Sequence, residues 1–256
     1  MIRIWWCALG LFVMAVAGSS VLAQTLAPEN TGQNLGIVRT VTGKLTYRTI
    51  SDQRHRGGEE FRLLVYPDGT RQLFVSKDFK AFNAQHTIVA RVDARFRPLE
   101  TYASYRTGNG FGGSIYVTVA GSELRTVAFG PQGRIDDKRT VSDNIVVVHH
   151  GEVANGWYVW MDDGSAAVQR SNALILNAAP PSGGQVSAVY AETRFTRLGP
   201  EQVTTPAGAF ETTHYRLAGP EPLDLWIATE DRLVVRQVDL RHDREYVLTE
   251  MNVIRN

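Results

Sequence analysis

Of the six histidines in the chain, His149 and His150 are adjacent. Successive side chains of an extended strand point to opposite faces, so one metal could take both rings only across a turn, with Asp162 or Asp163 completing the set. The helical zinc pattern His-Glu-x-x-His is absent, and the pair reads as flanking a turn at Gly151. His214 follows Glu211 by three positions, and His242 precedes Asp243. Such His–carboxylate pairs do acid–base chemistry only when they line a cavity. There is no Gly-x-Ser-x-Gly elbow, and the sole Cys lies at position 7, so the common acyl-transfer nucleophiles are missing. No catalytic residue, metal or cofactor is assigned. Trp157, Tyr158, Trp160 and Trp226 form an aromatic set, suited to lining an apolar ligand because wide rings bury much area with few rotatable bonds. With His149, His150 and His214 they are the candidate ligand-binding residues.

The segments that must position these side chains read as strands. Leu45, Tyr47 and Thr49 alternate with polar neighbours, as do Phe61, Leu63 and Val65, and Ile115, Val117 and Val119. A period of two marks a strand with one buried face. Asp68-Gly69, Gly121 and Gly133 supply turns, and four later strands run between Val203 and Val253. The glycine-rich run Gly108–Gly113 precedes a strand rather than a helix, so it reads as a hairpin turn, not a phosphate cradle. Residues 142–185 break the rhythm. There Trp157–Met161 is expected as a strand and Ser165–Ala178 as a short helix. Trp226 alternates with Leu225 and Ile227 and is expected on the opposite face of its strand. The expected architecture is all-β: a large curved antiparallel sheet or half-open barrel, with an irregular insert near 142–185.

Composition narrows the class of partner. The chain has 27 basic and 26 acidic side chains and a net charge of +1, which leaves no basic excess for nucleic acid. Arg3, the apolar run Ile4–Ala17 and Val21-Leu22-Ala23 have the pattern of a signal peptide over residues 1–23. Cys7 falls inside the apolar run, not after it, so a lipoprotein signal is not expected. Cleavage would remove the one thiol, and no other stretch is apolar enough to span a bilayer. Residues 24–35 read as a flexible lead-in and 36–256 as a single β domain, located in the periplasm.

The C-terminal runs VTTPAGAFETTHYRLAG, LDLWIATEDRLVVRQV and REYVLTEM resemble the end of an exported bacterial family, the domain of unknown function numbered thirty-one-oh-eight. The resemblance lies in Pro206, Gly208 and Phe210, then Trp226, then Glu230-Asp231. It implies a periplasmic β protein with a carrier-like curved sheet and carries over no catalytic residues. The expected function is non-enzymatic binding of a lipid or other hydrophobic ligand. The alternatives are an enzyme acting on a hydrophobic substrate in a barrel cavity, with His149, His150 or His214 as acid–base, and an assembly partner of an envelope protein.

Overall fold

A computed structural model describes residues 36–256, apart from 81–82, 109, 166, 178–185 and 221. The expected leader at 1–23 and lead-in at 24–35 lie outside the described residues. A first meander comprises β1 (Arg39–Thr49), β2 (His55–Val65), β3 (Arg71–Phe79), β4 (Ala84–Val92), β5 (Pro98–Thr107), β6 (Gly112–Ala120), β7 (Glu123–Gly130) and β8 (Gly133–Thr140). β9 (Ile145–Val148) leads into a 3-10 helix, Glu152–Val159, and then β10 (Gln169–Asn177). A second meander follows: β11 (Ser187–Thr205), β12 (Gly208–Ala218), β13 (Leu223–Ala228), β14 (Val234–Asp239) and β15 (Arg244–Arg255).

All 15 strands join one sheet, in the order β8-β7-β6-β5-β4-β3-β2-β1-β15-β14-β13-β12-β11-β10-β9. Its two ends, β8 and β9, do not pair with each other, so the sheet is curved and unclosed. Every neighbouring pair is antiparallel except β9 and β10, which run parallel. A parallel pair needs a crossover, and here the crossover carries the 3-10 helix.

Alternation places the core. In β2, Glu59, Phe61, Leu63 and Val65 point inward, and in β3 so do Leu73, Val75, Lys77 and Phe79. Register shifts in β1 opposite both β2 and β15 bend the centre of the sheet. Gly57 stands at one of them with φ +133, where a Cβ would lie 2.0 Å from the Asp78 carbonyl oxygen. Only glycine fits both the conformation and the space. β9 and Ala173–Leu176 of β10 are buried on both faces. Ile145, Val147, Leu174 and Leu176 belong to the main core, and Val146, Val148, Ala173 and Ile175 to a second cluster with Phe195, Tyr215 and Leu225.

The expected sheet is present, with two local corrections. Trp157–Met161 is not a strand: the chain is 3-10 helical through Val159. Ser165–Ala178 is not a helix: Gln169–Asn177 is β10. Trp157–Val159 and Ala173–Leu176 are buried on both sides, and burial of that kind erases the two-residue and 3.6-residue periods by which strand and helix are told apart.

All eight residues of the 3-10 helix are buried, so it fills the concavity as a plug. Gly156 is its closest approach to the sheet: a Cβ there would meet the Arg232 carbonyl oxygen at 2.0 Å and Ile227 at 2.9 Å. Because backbone cannot rotate aside, Gly156→Ala is expected to cost about 1–3 kcal/mol through overpacking. A urea midpoint unchanged from the parent would contradict this.

Candidate functional site

The plug is held by a buried polar network. Glu59 of β2 caps its start, accepting hydrogen bonds from the Glu152 N–H at 3.0 Å and the Val153 N–H at 2.6 Å. The Tyr47 hydroxyl donates to the same carboxylate at 2.7 Å. The Lys77 ammonium donates to Glu152 Oε1 at 2.7 Å and to the His150 carbonyl at 3.0 Å, and it lies 5.0 Å from the centre of the Tyr47 ring. Asn155 Nδ2 and Gln237 Nε2 donate to Glu152 Oε2 at 2.7 and 3.0 Å. Burial pushes the Glu59 carboxyl up to about 7 against the pull of Lys77. Burial also acts to raise Glu152, but Lys77 and His150 outweigh it and bring that carboxyl down to about 2. Displaced carboxyl pKa values are a mark of catalytic sites when they face a cleft. Here Glu59 is 1% exposed and Lys77 4%, and their polar atoms are spent on one another, so the arrangement is a latch for the plug.

His149 and His150 separate as adjacency requires. His149 is buried, and its Nδ1 accepts a hydrogen bond from the Gly151 N–H at 3.1 Å. Burial pushes its ring down to about 3. His150 has a left-handed backbone, φ 61, which turns the chain from β9 into the plug. Trp157 Nε1 donates to the Asp231 carbonyl at 2.9 Å, and Trp160 Nε1 to the Ile145 carbonyl at 3.3 Å. Tyr158 is buried in the second cluster. The void among Trp157, Tyr158, Trp160, His149 and Phe96 is about 20 Å³. That is room for one water, against the 300–1,000 Å³ of a small-molecule site. Four of the residues expected to line a ligand cavity, Trp157, Tyr158, Trp160 and His149, thus enclose no ligand-sized space here, and His150 is half-buried at the turn.

His214 and Trp226 lie elsewhere, opposite each other on β12 and β13. Trp226 does face away from Leu225 and Ile227, but that face is covered, and the ring is only 7% exposed. His214 stacks on it at 4.2 Å between centroids, and the Arg236 guanidinium sits 4.7 Å from its centre. Burial lowers the His214 ring pKa, opposed by Asp224 and Glu201. Arg236 Nε donates to Glu245 Oε1 at 2.7 Å, and Arg48 Nε donates to Glu245 Oε2 at 2.5 Å. A chain of contacts thus crosses five neighbouring strands, from His214 through Trp226, Arg236 and Glu245 to Arg48.

The last three members of this chain of contacts, Arg236, Glu245 and Arg48, form the back of a cleft of about 420 Å³. The cleft is bounded by Arg48, Arg236 and Glu245, by the threonines 46, 204, 205 and 249, and by Glu201, Gln202, Val203, Pro206 and Val247. One wall is the tip of the β11–β12 hairpin, and the other is β1, β14 and β15. Its size suits a small ligand. Sequence reasoning found His214 and Trp226 but missed Arg236 and Glu245, which meet across the β14–β15 pair, and Arg48, which joins them only through the pairing of β1 with β15. Among the described residues, no group of three or more His, Cys, Asp or Glu is gathered for a metal.

The fold and these two sites define an all-β protein with a plugged, unclosed sheet. No protein-family model matches the chain, and none of the curated proteins does, so the resemblance to the family numbered thirty-one-oh-eight has no matching family model behind it. Two solved structures are similar in outline. One is a DUF1089 family protein from Pseudomonas aeruginosa, 13% identical, with a TM-score of 0.43 over 69% of this chain and 87% of that one. The other is a beta-barrel-like protein of domain of unknown function DUF1849 from Brucella abortus, 6% identical, with a TM-score of 0.49 over 85% of this chain and 98% of that one.

Proposed function

We propose that this chain is an exported, non-catalytic binding protein of the cell envelope that takes an amphipathic ligand, such as a lipid, on the outside of its sheet. The observation that carries the reading is the plug. The chain's own 3-10 helix occupies the concavity that a carrier would leave open, whereas the cleft backed by Arg236 and Glu245 is open and of ligand size. Its polar rim of threonines and arginines suits a head group, and Val203, Pro206 and Val247 suit the first atoms of an apolar chain. Glu59, Glu152 and His149, whose pKa values are strongly displaced, are buried away from any substrate, which weighs against the enzymatic alternative. Export rests on residues 1–23. Native mass spectrometry of the protein purified from the periplasm without detergent tests the reading. A retained mass in the lipid range is expected, and a ligand-free mass together with turnover of any substrate would overturn it.

One observation favours envelope assembly as a second reading. β14 pairs with β15 only through Val247, so Glu250–Arg255 has an unpaired edge among the described residues, with Met251, Val253 and Ile254 exposed. At the sheet's terminus β8, by contrast, Arg134, Asp136, Asp137, Lys138 and Arg139 provide the charges that guard an edge. A fixed partner cross-linked through Glu250–Arg255 would support this second reading.

A further inference from the structure

We infer that the cleft between the β11–β12 tip and β1, β14 and β15 is an anion site for a singly charged phosphate group, with Arg236 as its principal ligand and Arg48 as its second. The inference rests on the outer-face binding proposed above and names the chemistry of the head group.

Charge and geometry carry it. Two guanidiniums share one carboxylate, so Arg48, Arg236 and Glu245 among themselves carry a net charge of +1 at the back of the cleft. Arg48 spends its Nε and one terminal nitrogen on Glu245, whereas Arg236 spends only its Nε. The unspent terminal N–H groups of Arg236, and the remaining one of Arg48, are free to meet an oxyanion. Glu201, the other acid on the rim, is half exposed and leans toward His214 Nδ1 at 3.4 Å, so its charge sits at the solvent edge of the cleft and not on the guanidiniums. Arg236 is also pre-oriented, because its guanidinium lies over the Trp226 ring, which is itself fixed by the stacked His214. A fork fixed in this way loses little entropy on binding and matches the spacing of phosphate oxygens. Thr204 adds a hydroxyl that can donate to a remaining oxygen, whereas Thr249 donates to the Lys44 carbonyl and Thr46 bonds to Thr249, so these two offer only acceptor lone pairs to a neighbouring glycerol or sugar. A phosphodiester carries the single negative charge that matches the excess of the trio Arg48, Arg236 and Glu245. A phospholipid head group and a free phosphate share this chemistry.

The test uses the full mature protein and two probes: inorganic phosphate, followed by chemical-shift titration, and phosphatidylglycerol vesicles, followed by co-sedimentation with phosphatidylcholine vesicles as the control. Binding that weakens with added salt is expected. Arg236→Gln should weaken it roughly tenfold or more, the loss of a charge-assisted pair. Glu245→Gln should strengthen it severalfold, since removing the carboxylate frees both guanidiniums. A variant that merely disturbed the fold would not act in that direction. Binding to vesicles but not to free phosphate identifies the lipid head group, and binding to both identifies the phosphate alone as sufficient. No binding of either probe, or binding indifferent to Arg236→Gln, overturns the inference. If neither probe binds but native mass spectrometry finds a retained uncharged lipid, outer-face binding stands and only the anion site falls.

Discussion

Lys77→Met is expected to cost about 3–5 kcal/mol of folding stability at neutral pH, the range for removing one partner of a buried ion pair. Lys77 and Glu152 are both buried in contact at 2.7 Å. The substitution leaves Glu152 charged in the interior with only the amides of Asn155 and Gln237 for company, and it leaves the His150 carbonyl without its donor. Methionine fills the lysine stem's volume beside Tyr47 and Phe79, so packing loss is small and the effect is electrostatic. Adding Glu152→Gln should recover a large part of the loss, because glutamine keeps an acceptor for the two amides and removes the stranded charge. Urea unfolding at pH 7 reads both variants. A single-variant loss below about 1 kcal/mol, or a double variant no more stable than the single, would show that the pair does not anchor the plug.

Stability is expected to peak near pH 6.5 and to fall steeply in acid. Four buried groups set the profile. His86 and His149 are pushed down to about 3 from 6.5 by burial. Each is held neutral in the fold, so its contribution is complete above 6.5 and is lost as pH falls toward 3. Glu152, brought down to about 2 from 4.5, contributes fully above 4.5 and loses its contribution as pH falls toward 2. Glu59 has the opposite sign. Its carboxyl is raised from 4.5 to about 7, so the fold favours its protonated form and stability declines as pH rises from 4.5 to 7. Each net proton taken up on unfolding changes stability by about 1.4 kcal/mol per pH unit. Between 4.5 and 6.5 the two histidines oppose Glu59 and leave a gentle rise. Below 4.5 three groups act together and the slope triples. Thermal melts from pH 3 to 8 check this; a flat melting temperature between pH 4.5 and 3 would refute the assignment of Glu152 and the two histidines as the acid-sensitive groups.

Much of the sheet was legible because most strands bury one face and expose the other, as Phe61, Leu63 and Val65 do against Arg62 and Leu64. β9, the plug and the second half of β10 were not, because burial on both faces leaves no period to read. The latch was visible in principle. Glu59 falls on the same parity as Phe61 and Leu63, and Lys77 on that of Leu73 and Val75. A charge at an inward position of a good strand needs a buried partner, so these two were the signal to follow. The rings of Trp157 and Tyr158 drew notice instead, although large aromatics are ordinary core filling. For Trp226, parity gave the correct face, but local sequence could not show that His214 and Arg236 would cover it. Those neighbours come from pairings between strands, which local patterns do not encode.

The seam between β1 and β15 has a consequence for assembly. Thr46 and Thr249 touch across it at 3.3 Å although 203 positions separate them. Each meander can zip from hairpin to hairpin, but the middle of the sheet closes only when the last strand arrives. Until then β1 presents an unpaired edge, the exposure that invites pairing with a wrong chain. In most sheets damage to a terminal strand trims the border. Here the loss of β15 would split the molecule down its centre and strip Glu245 from between its two arginines.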